Sequence, residues 1–234
     1  MPQLTMLNDT DIDFPSTALA LTDPDGLLAI GGNLSRARLT AAYQQGIFPW
    51  FNERDPIMWW SPSVRCVIPC EQFHISKSFK KFLKKSNYRV SINKAFPDVI
   101  NHCKATRKDG LGTWINQDME VAYNELHQHN LAHSVEVWQD QQLIGGLYGV
   151  FTNNTFCGES MFSLMPNASK TALYALSQFL MECDIPLIDC QITNPHLTSL
   201  GAIEIKRLDF VKHLEENQNT PTVVNWQARD IYGT

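Results

Sequence analysis

The sequence has no run of 18 or more apolar residues, so no segment is suited to cross a membrane as a helix. Its first residues, Met1 to Thr5, show no basic region followed by an apolar stretch, which predicts no secretory leader. Internal repeats and low-complexity tracts are missing, and so are a glycine-rich phosphate loop and a nucleophile elbow. Six cysteines (Cys66, Cys70, Cys103, Cys157, Cys183, Cys190) are scattered, mostly in apolar runs. That pattern predicts buried reduced thiols in a cytoplasmic protein rather than a disulfide framework. Cys66 and Cys70 have no second Cys/His pair at finger spacing. His127 and His129 fall near a helix end, where a cation is favoured anyway, so no metal site is predicted. A large excess of one charge is absent too. The 19 Lys and Arg against 24 Asp and Glu give a net charge of −5, which taken alone argues against a nucleic-acid partner.

What is present reverses that last inference. Residues 65 to 108 hold eleven basic side chains against two acidic ones, a net +9, while the rest of the chain holds eight against twenty-two, a net −14. One basic surface on an acidic body suits a docked polyanion beside a site that accepts cations. The 234 residues, 44% hydrophobic, are enough to bury a core in one large domain or two small ones. The first sixty residues are turn-rich. They carry one short helix, capped by Ser35, with Leu39, Ala42 and Tyr43 inward and Gly46 at its stop. Trp59-Trp60-Ser61-Pro62 breaks regular structure, so a boundary is placed between residues 1–63, a small N-terminal domain, and residues 64–234. Beyond it, strands at 65–68 and 88–92 alternate with helices at 76–85 and 95–103. A helix at 116–129 precedes a three-strand meander (133–138, 143–151, 155–159), a helix at 169–182 and an apolar strand at 187–191. The fold class is α/β (or α+β), with a central mixed sheet flanked by helices. The last twenty residues are polar and read as a loose tail.

Several stretches are unlike generic core. They include Gly46-Ile47-Phe48-Pro49-Trp50-Phe51, Thr113-Trp114-Ile115, Gly145-Gly146-Leu147-Tyr148-Gly149, Gly158-Glu159-Ser160-Met161-Phe162, Asn167-Ala168-Ser169-Lys170-Thr171, Ile188-Asp189-Cys190-Gln191 and Ser199-Leu200-Gly201. In this order, from about Phe14 to about Phe210, they resemble the leucyl/phenylalanyl-tRNA–protein transferase family of bacterial N-degron enzymes. The resemblance implies an aminoacyltransferase with a GNAT-like domain over residues 64–234. It would move Leu or Phe, and less readily Met, from aminoacyl-tRNA to the α-amine of proteins that begin with Lys or Arg. A GNAT domain that binds acetyl-CoA needs a glycine-bearing turn to hold the pyrophosphate. Here that turn is Leu164-Met165-Pro166-Asn167-Ala168-Ser169, so no cofactor is expected. The protein is expected to act as a monomer.

By matching position, the resemblance assigns Asp189, Gln191 and Glu159 to catalysis. It assigns Trp50, Trp114, Leu147, Phe156, Leu173 and Leu176 to the aminoacyl and adenosine pocket. The residues themselves leave alternatives. Asp189 and Gln191 are two apart on a strand and share a face, yet a lone Asp-x-Gln is usually a solvated strand end. Glu159 is either a partnered structural carboxylate or a site group. Leu173 and Leu176 sit at core spacing on an amphipathic helix. Phe156 and Glu159 fall on opposite faces of a regular strand, so both reach one pocket only if Gly158 hosts a bulge. Lys77, Lys80, Lys81, Lys84, Lys85, Arg89 and Arg65 form the expected tRNA contact, against the plain reading of a solvated helix face. A non-catalytic tRNA-binding module would need that patch but not Glu159, Asp189 and Gln191 together.

Overall fold

The computed structural model describes residues 4–106, 115–220 and 222–232. Near the N-terminus, β1 (Thr5–Leu7), β2 (Leu27–Gly31), β3 (Phe48–Pro49) and β4 (Met58–Trp60) form a four-stranded sheet in the order β1-β2-β4-β3. α1 (Arg36–Gln44) starts where Ser35 Oγ accepts the Arg38 amide, and it stops before Gly46, whose φ of 73° only glycine adopts without strain. A second sheet begins at β5 (Val64–Pro69). It continues with α2 (Lys77–Leu83), β6 (Arg89–Ile92), α3 (Phe96–Thr106), α4 (Gln117–Gln128), β7 (Ala132–Gln139), β8 (Gln142–Thr152), β9 (Thr155–Ser163), α5 (Ala168–Glu182) and β10 (Leu187–Gln191). The chain closes with α6 (Pro195–Ser199), β11 (Ile203–Lys206), α7 (Arg207–Gln218) and β12 (Arg229–Tyr232).

The order of this sheet is β11-β5-β10-β9-β8-β7-β6-β12. Every pairing is antiparallel except β9 with β10, which makes the sheet mixed, with helices on its faces, as the sequence pattern predicted. α5 covers one face through Ala172, Leu173, Leu176 and Leu180, packed on Val135, Leu147, Phe156 and Ile188. The other face carries α3, α4 and the N-terminal sheet in one cluster that joins Trp59, Tyr43 and Leu39 to Phe96, Val99, Tyr123 and Tyr148. Burial at about 25 cal/mol per Å² of apolar area makes these two layers the main source of stability.

The parallel pair creates the site. β9 and β10 are in register from Leu187/Thr155 to Asp189/Cys157, and the pairing then ends although β9 runs on to Ser163 beside β8. Past that last pair the two strands separate, and the gap is lined by Gly158, Glu159 and Ser160 on one side and Cys190 and Gln191 on the other.

The end of the chain corrects the reading of a loose tail. β12 pairs with β6 as the sheet's last strand, and Asp230 accepts hydrogen bonds from Arg89 and Lys94, each at 2.9 Å. An edge strand with one exposed face carries a weak hydrophobic pattern, which is why composition concealed it.

Candidate functional site

Glu159 is the centre of the site. In the β8–β9 ladder Tyr148 stands opposite Ser160 and Gly149 opposite Gly158, so Glu159 is the extra residue of a bulge. This resolves the parity conflict between Phe156 and Glu159, and both line one cavity of about 270 Å³. The carboxylate is held from two sides. Tyr123 Oη donates to Oε2 at 2.9 Å, and Gln191 Nε2 donates to Oε1 at 3.4 Å. Tyr43 Oη donates in turn to Tyr123 Oη, behind that contact. Burial is the main force on Glu159. It raises the pKa to about 7, the Asp189 charge adds to the rise, and the two tyrosines and Arg65 oppose it. The tyrosines are themselves pushed well above 10 by burial and by Glu159, so they act as neutral donors.

Gln191 reaches the site through irregular backbone. The β5–β10 register shifts between Asp189 and Gln191, and Gln191 has a φ of 58°. A left-handed glutamine costs about 1 kcal/mol or more and needs support. Asp189 supplies it, because its Oδ1 accepts the Gln191 amide at 3.0 Å.

Asp189 is itself engaged elsewhere. Its two oxygens accept Arg65 Nε and Nη2, both at 2.7 Å, in a bidentate pair whose side chains are 0% and 2% exposed. Arg65 also donates to the Gly46 carbonyl at 3.1 Å and lies between the rings of Phe48 and Phe210, at 4.8 and 4.6 Å. Two expectations are corrected by this geometry. Arg65 is buried and fully engaged, so it cannot contact tRNA. Asp189 lines neither cavity of the site and stands behind Gln191, whose backbone amide it holds.

The pocket residues divide similarly. Leu147, Phe156 and Leu173 line the 270 Å³ cavity together with Glu159 and Gln191. Leu176 is fully buried in the core behind that wall and does not line the cavity, because its helical position faces the sheet rather than the gap. Trp114 lies outside the described residues. Trp50 is 43% exposed and lines a second recess of about 350 Å³, with Phe48, Pro49 and Thr193. Glu159, Cys190, Gln191 and Asn194 are common to both recesses, so the two meet at the Glu159–Gln191 contact. Three larger recesses, about 830 Å³ along α1 and α7, about 460 Å³ beside α1 and His129 and about 440 Å³ beside Pro69, contain none of the candidate site residues named from the sequence.

Sequence reasoning missed Tyr43, Tyr123, Asn194 and His196. The tyrosines each fit an apolar helical stripe, and their hydroxyls meet across 80 residues, which no local pattern encodes. His196 lines the cavity, and its pKa is lowered by burial and then by Lys170. Among the basic residues, Lys77, Lys80, Lys81, Lys84 and Lys85 are all exposed on or just after α2, which Ser76 caps by accepting the Phe79 amide at 3.2 Å. Arg89 departs from that set. It lies on β6 with its side chain 43% exposed, ion-paired to Asp230 of the C-terminal strand. Among the described residues no group of three or more His, Cys, Asp or Glu is placed to hold a metal ion.

A cavity that is apolar at one end and carboxylate–amide at the other can seat an apolar side chain and present an attached carbonyl to an amine. Residues 67–215 match the family described as leucyl/phenylalanyl-tRNA protein transferase, and residues 32–63 match that family's N-terminal domain. A leucyl/phenylalanyl-tRNA–protein transferase of Shewanella baltica is 51% identical over 232 residues, covering 99% of this chain and 98% of its own. The corresponding Shewanella loihica protein is 52% identical over the same shares. Among solved structures, FemX superposes with a TM-score of 0.48 at 10% identity, covering 73% of this chain and 66% of FemX.

Proposed function

The chain belongs to the leucyl/phenylalanyl-tRNA protein transferase family, and we propose that it moves leucine or phenylalanine from aminoacyl-tRNA to the α-amine of proteins that begin with Lys or Arg. The observation that carries this reading is the junction of the two recesses at Glu159 and Gln191. The aminoacyl side chain enters the cavity of Leu147, Phe156 and Leu173, methionine less readily. The terminal adenosine lies in the second recess, where exposed Trp50 offers a stacking face worth about 1–3 kcal/mol. Residues 1–63, as the small N-terminal domain, supply Trp50, and residues 64–234 supply the transferase domain. The change of sheet between Trp60 and Val64 supports that boundary.

The ester is already activated, so alignment and one proton transfer are what the reaction requires. The neutral α-amine, with an ordinary pKa of about 7.7–8.0, attacks the ester carbonyl. The amine proton passes to the Glu159 carboxylate, whose pKa of about 7 suits a proton acceptor near neutrality. Gln191 is far too weak a base for that role, and its amide orients the amine. The C–O bond to the 3′-oxygen breaks, that oxygen takes the proton held by Glu159 and leaves as the 3′-hydroxyl of the uncharged tRNA, and the peptide leaves one residue longer. The new N-terminal leucine or phenylalanine marks the product for N-degron proteolysis. The enzyme acts as a monomer in the cytoplasm.

The lysines of α2 hold the tRNA backbone, which carries charge without sequence and so suits several tRNA species. Five phosphate contacts imply that affinity falls about 10²–10³-fold between about 50 and 200 mM salt. Filter binding of leucyl-tRNA across that range, with transfer rates at subsaturating tRNA measured in parallel, is expected to show one common salt slope. A flat binding curve would remove α2 from the docking surface.

A further inference from the structure

The residues after α7 fold back over the sheet and are fastened at several points. The Thr222 amide donates to Asn154 Oδ1 at 2.8 Å, Asn93 Nδ2 donates to the Trp226 carbonyl at 2.7 Å, and β12 then pairs with β6. Between these anchors the Trp226 indole lies flat on His133, with centroids 4.0 Å apart and planes 6° apart. It meets Phe179 edge-on at 5.1 Å and stands 5.5 Å from Phe151 and 5.9 Å from Phe156. His133 is fixed in turn by Asn93 Nδ2 at 3.0 Å from Nδ1, and burial holds its pKa down to about 3, so the stacked partner is a neutral imidazole at every physiological pH.

Phe156 borders this cluster. It is fully buried, it lines the 270 Å³ cavity, and its ring lies so close to Gly149 that a Cβ there would stand 2.6 Å from Phe156 Cε1. The strand backbone at Gly149 closes one side of the ring and the Trp226 cluster closes another. Trp226 does not itself line the cavity. It also lies outside residues 67–215, the part of the chain that matches the family's main domain.

We propose that Trp226 is a specificity-determining positioning residue, which holds Phe156 at the depth that fits the cavity to leucine as well as to phenylalanine. The inference rests on the aminoacyl-pocket reading given above. A leucine side chain is shorter than a benzyl group, so it fills the cavity only while the Phe156 ring is held forward. With the indole removed, the ring can fall back toward the vacated space, the cavity deepens, and leucine loses contact while phenylalanine follows the receding wall. Apolar pockets discriminate by about 10–200-fold per methylene-sized change in fit, so the ratio of the two substrates is the sensitive readout.

The test compares kcat/KM for leucyl-tRNA and phenylalanyl-tRNA, with one Arg-starting peptide as acceptor, in the wild type, Trp226→Ala and Trp226→Phe, each checked for a cooperative thermal transition. Trp226→Ala is expected to lower kcat/KM for leucyl-tRNA about tenfold or more and that for phenylalanyl-tRNA less than about threefold. Trp226→Phe, which keeps an aromatic plug and carries the test alone if the alanine variant does not fold, is expected to show a smaller shift in the same direction. Equal losses for both substrates, or no loss for either, would overturn the proposal and leave Trp226 a structural anchor only. A wild type that transfers neither amino acid would overturn the transferase reading instead, so the two failures are distinct.

Discussion

Arg65→Ala is expected to lower the free energy of unfolding by about 3–5 kcal/mol and to reduce transfer by at least about 10²-fold. The variant leaves the Asp189 carboxylate fully buried with its two 2.7 Å partners gone, and an uncompensated buried charge is among the most costly single defects a fold can carry. The same change frees the Gly46 carbonyl and the space between Phe48 and Phe210, so the loop that delivers Trp50 loses its tie to β5. Stability and function separate in a double variant. Arg65→Met with Asp189→Val removes both charges and keeps the volume closely, so its urea midpoint is expected to return most of the way to the wild-type value. Transfer is expected to stay low, because the Gln191 amide then has no carboxylate to hold its left-handed backbone. A double variant that regained activity along with stability would show that Asp189 matters only to folding.

The second large effect is chemical. Glu159→Gln is expected to lower kcat/KM for transfer about 10²–10⁴-fold while leaving the affinity for tRNA unchanged. Folding does not explain the loss. The folded-state pKa of Glu159, about 7, lies above its ordinary value of 4.5, so the folded protein holds that proton more tightly than the unfolded chain does. The ionised group therefore costs stability above about pH 4.5, most of all above pH 7, and a neutral amide at pH 8 is expected to leave the melting temperature equal or higher. The pH profile carries the same sign. Below pH 7 the carboxyl is protonated and accepts nothing, and above it the carboxylate can take the amine proton. The wild-type rate is expected to rise through two groups, Glu159 near 7 and the α-amine near 7.7–8.0, whereas the glutamine variant keeps only the amine. An unchanged limb near pH 7 in the variant would mean that another group accepts the proton.

Much of this site could be read in the sequence because its parts are local. The Ser35 cap, the meander of β7 to β9 and the apolar strand before Asp189 each follow from a few adjacent residues. Even the bulge was legible, since Phe156 and Glu159 cannot share a pocket on a regular strand and Gly158 lies between them. What stayed hidden depends on residues far apart in the chain. An arginine inside a +9 segment reads as a surface cation, and only Asp189, 124 residues away, makes Arg65 an interior one. Gln191 looks like the next same-face position after Asp189, yet the register shift between them gives it a separate backbone and a separate task. Tyr43 and Tyr123 each look like core because each is core up to its hydroxyl. The C-terminal strand has too little apolar periodicity to declare itself. Its place is set by Asn93, Asp230 and the ring of Trp226, which only the folded sheet brings together.

The measurement that bears most directly on the central claim is the mass of an acceptor peptide. The protein is mixed with leucyl-tRNA and peptides that begin with Arg, Lys or Ala and are otherwise identical, and each product is weighed by mass spectrometry. The Arg and Lys peptides are expected to gain the mass of one leucine at the N-terminus, to gain one phenylalanine when phenylalanyl-tRNA is supplied, and to gain far less with Glu159→Gln, while the Ala peptide stays unchanged. An Arg peptide that gains nothing from either charged tRNA would contradict the account.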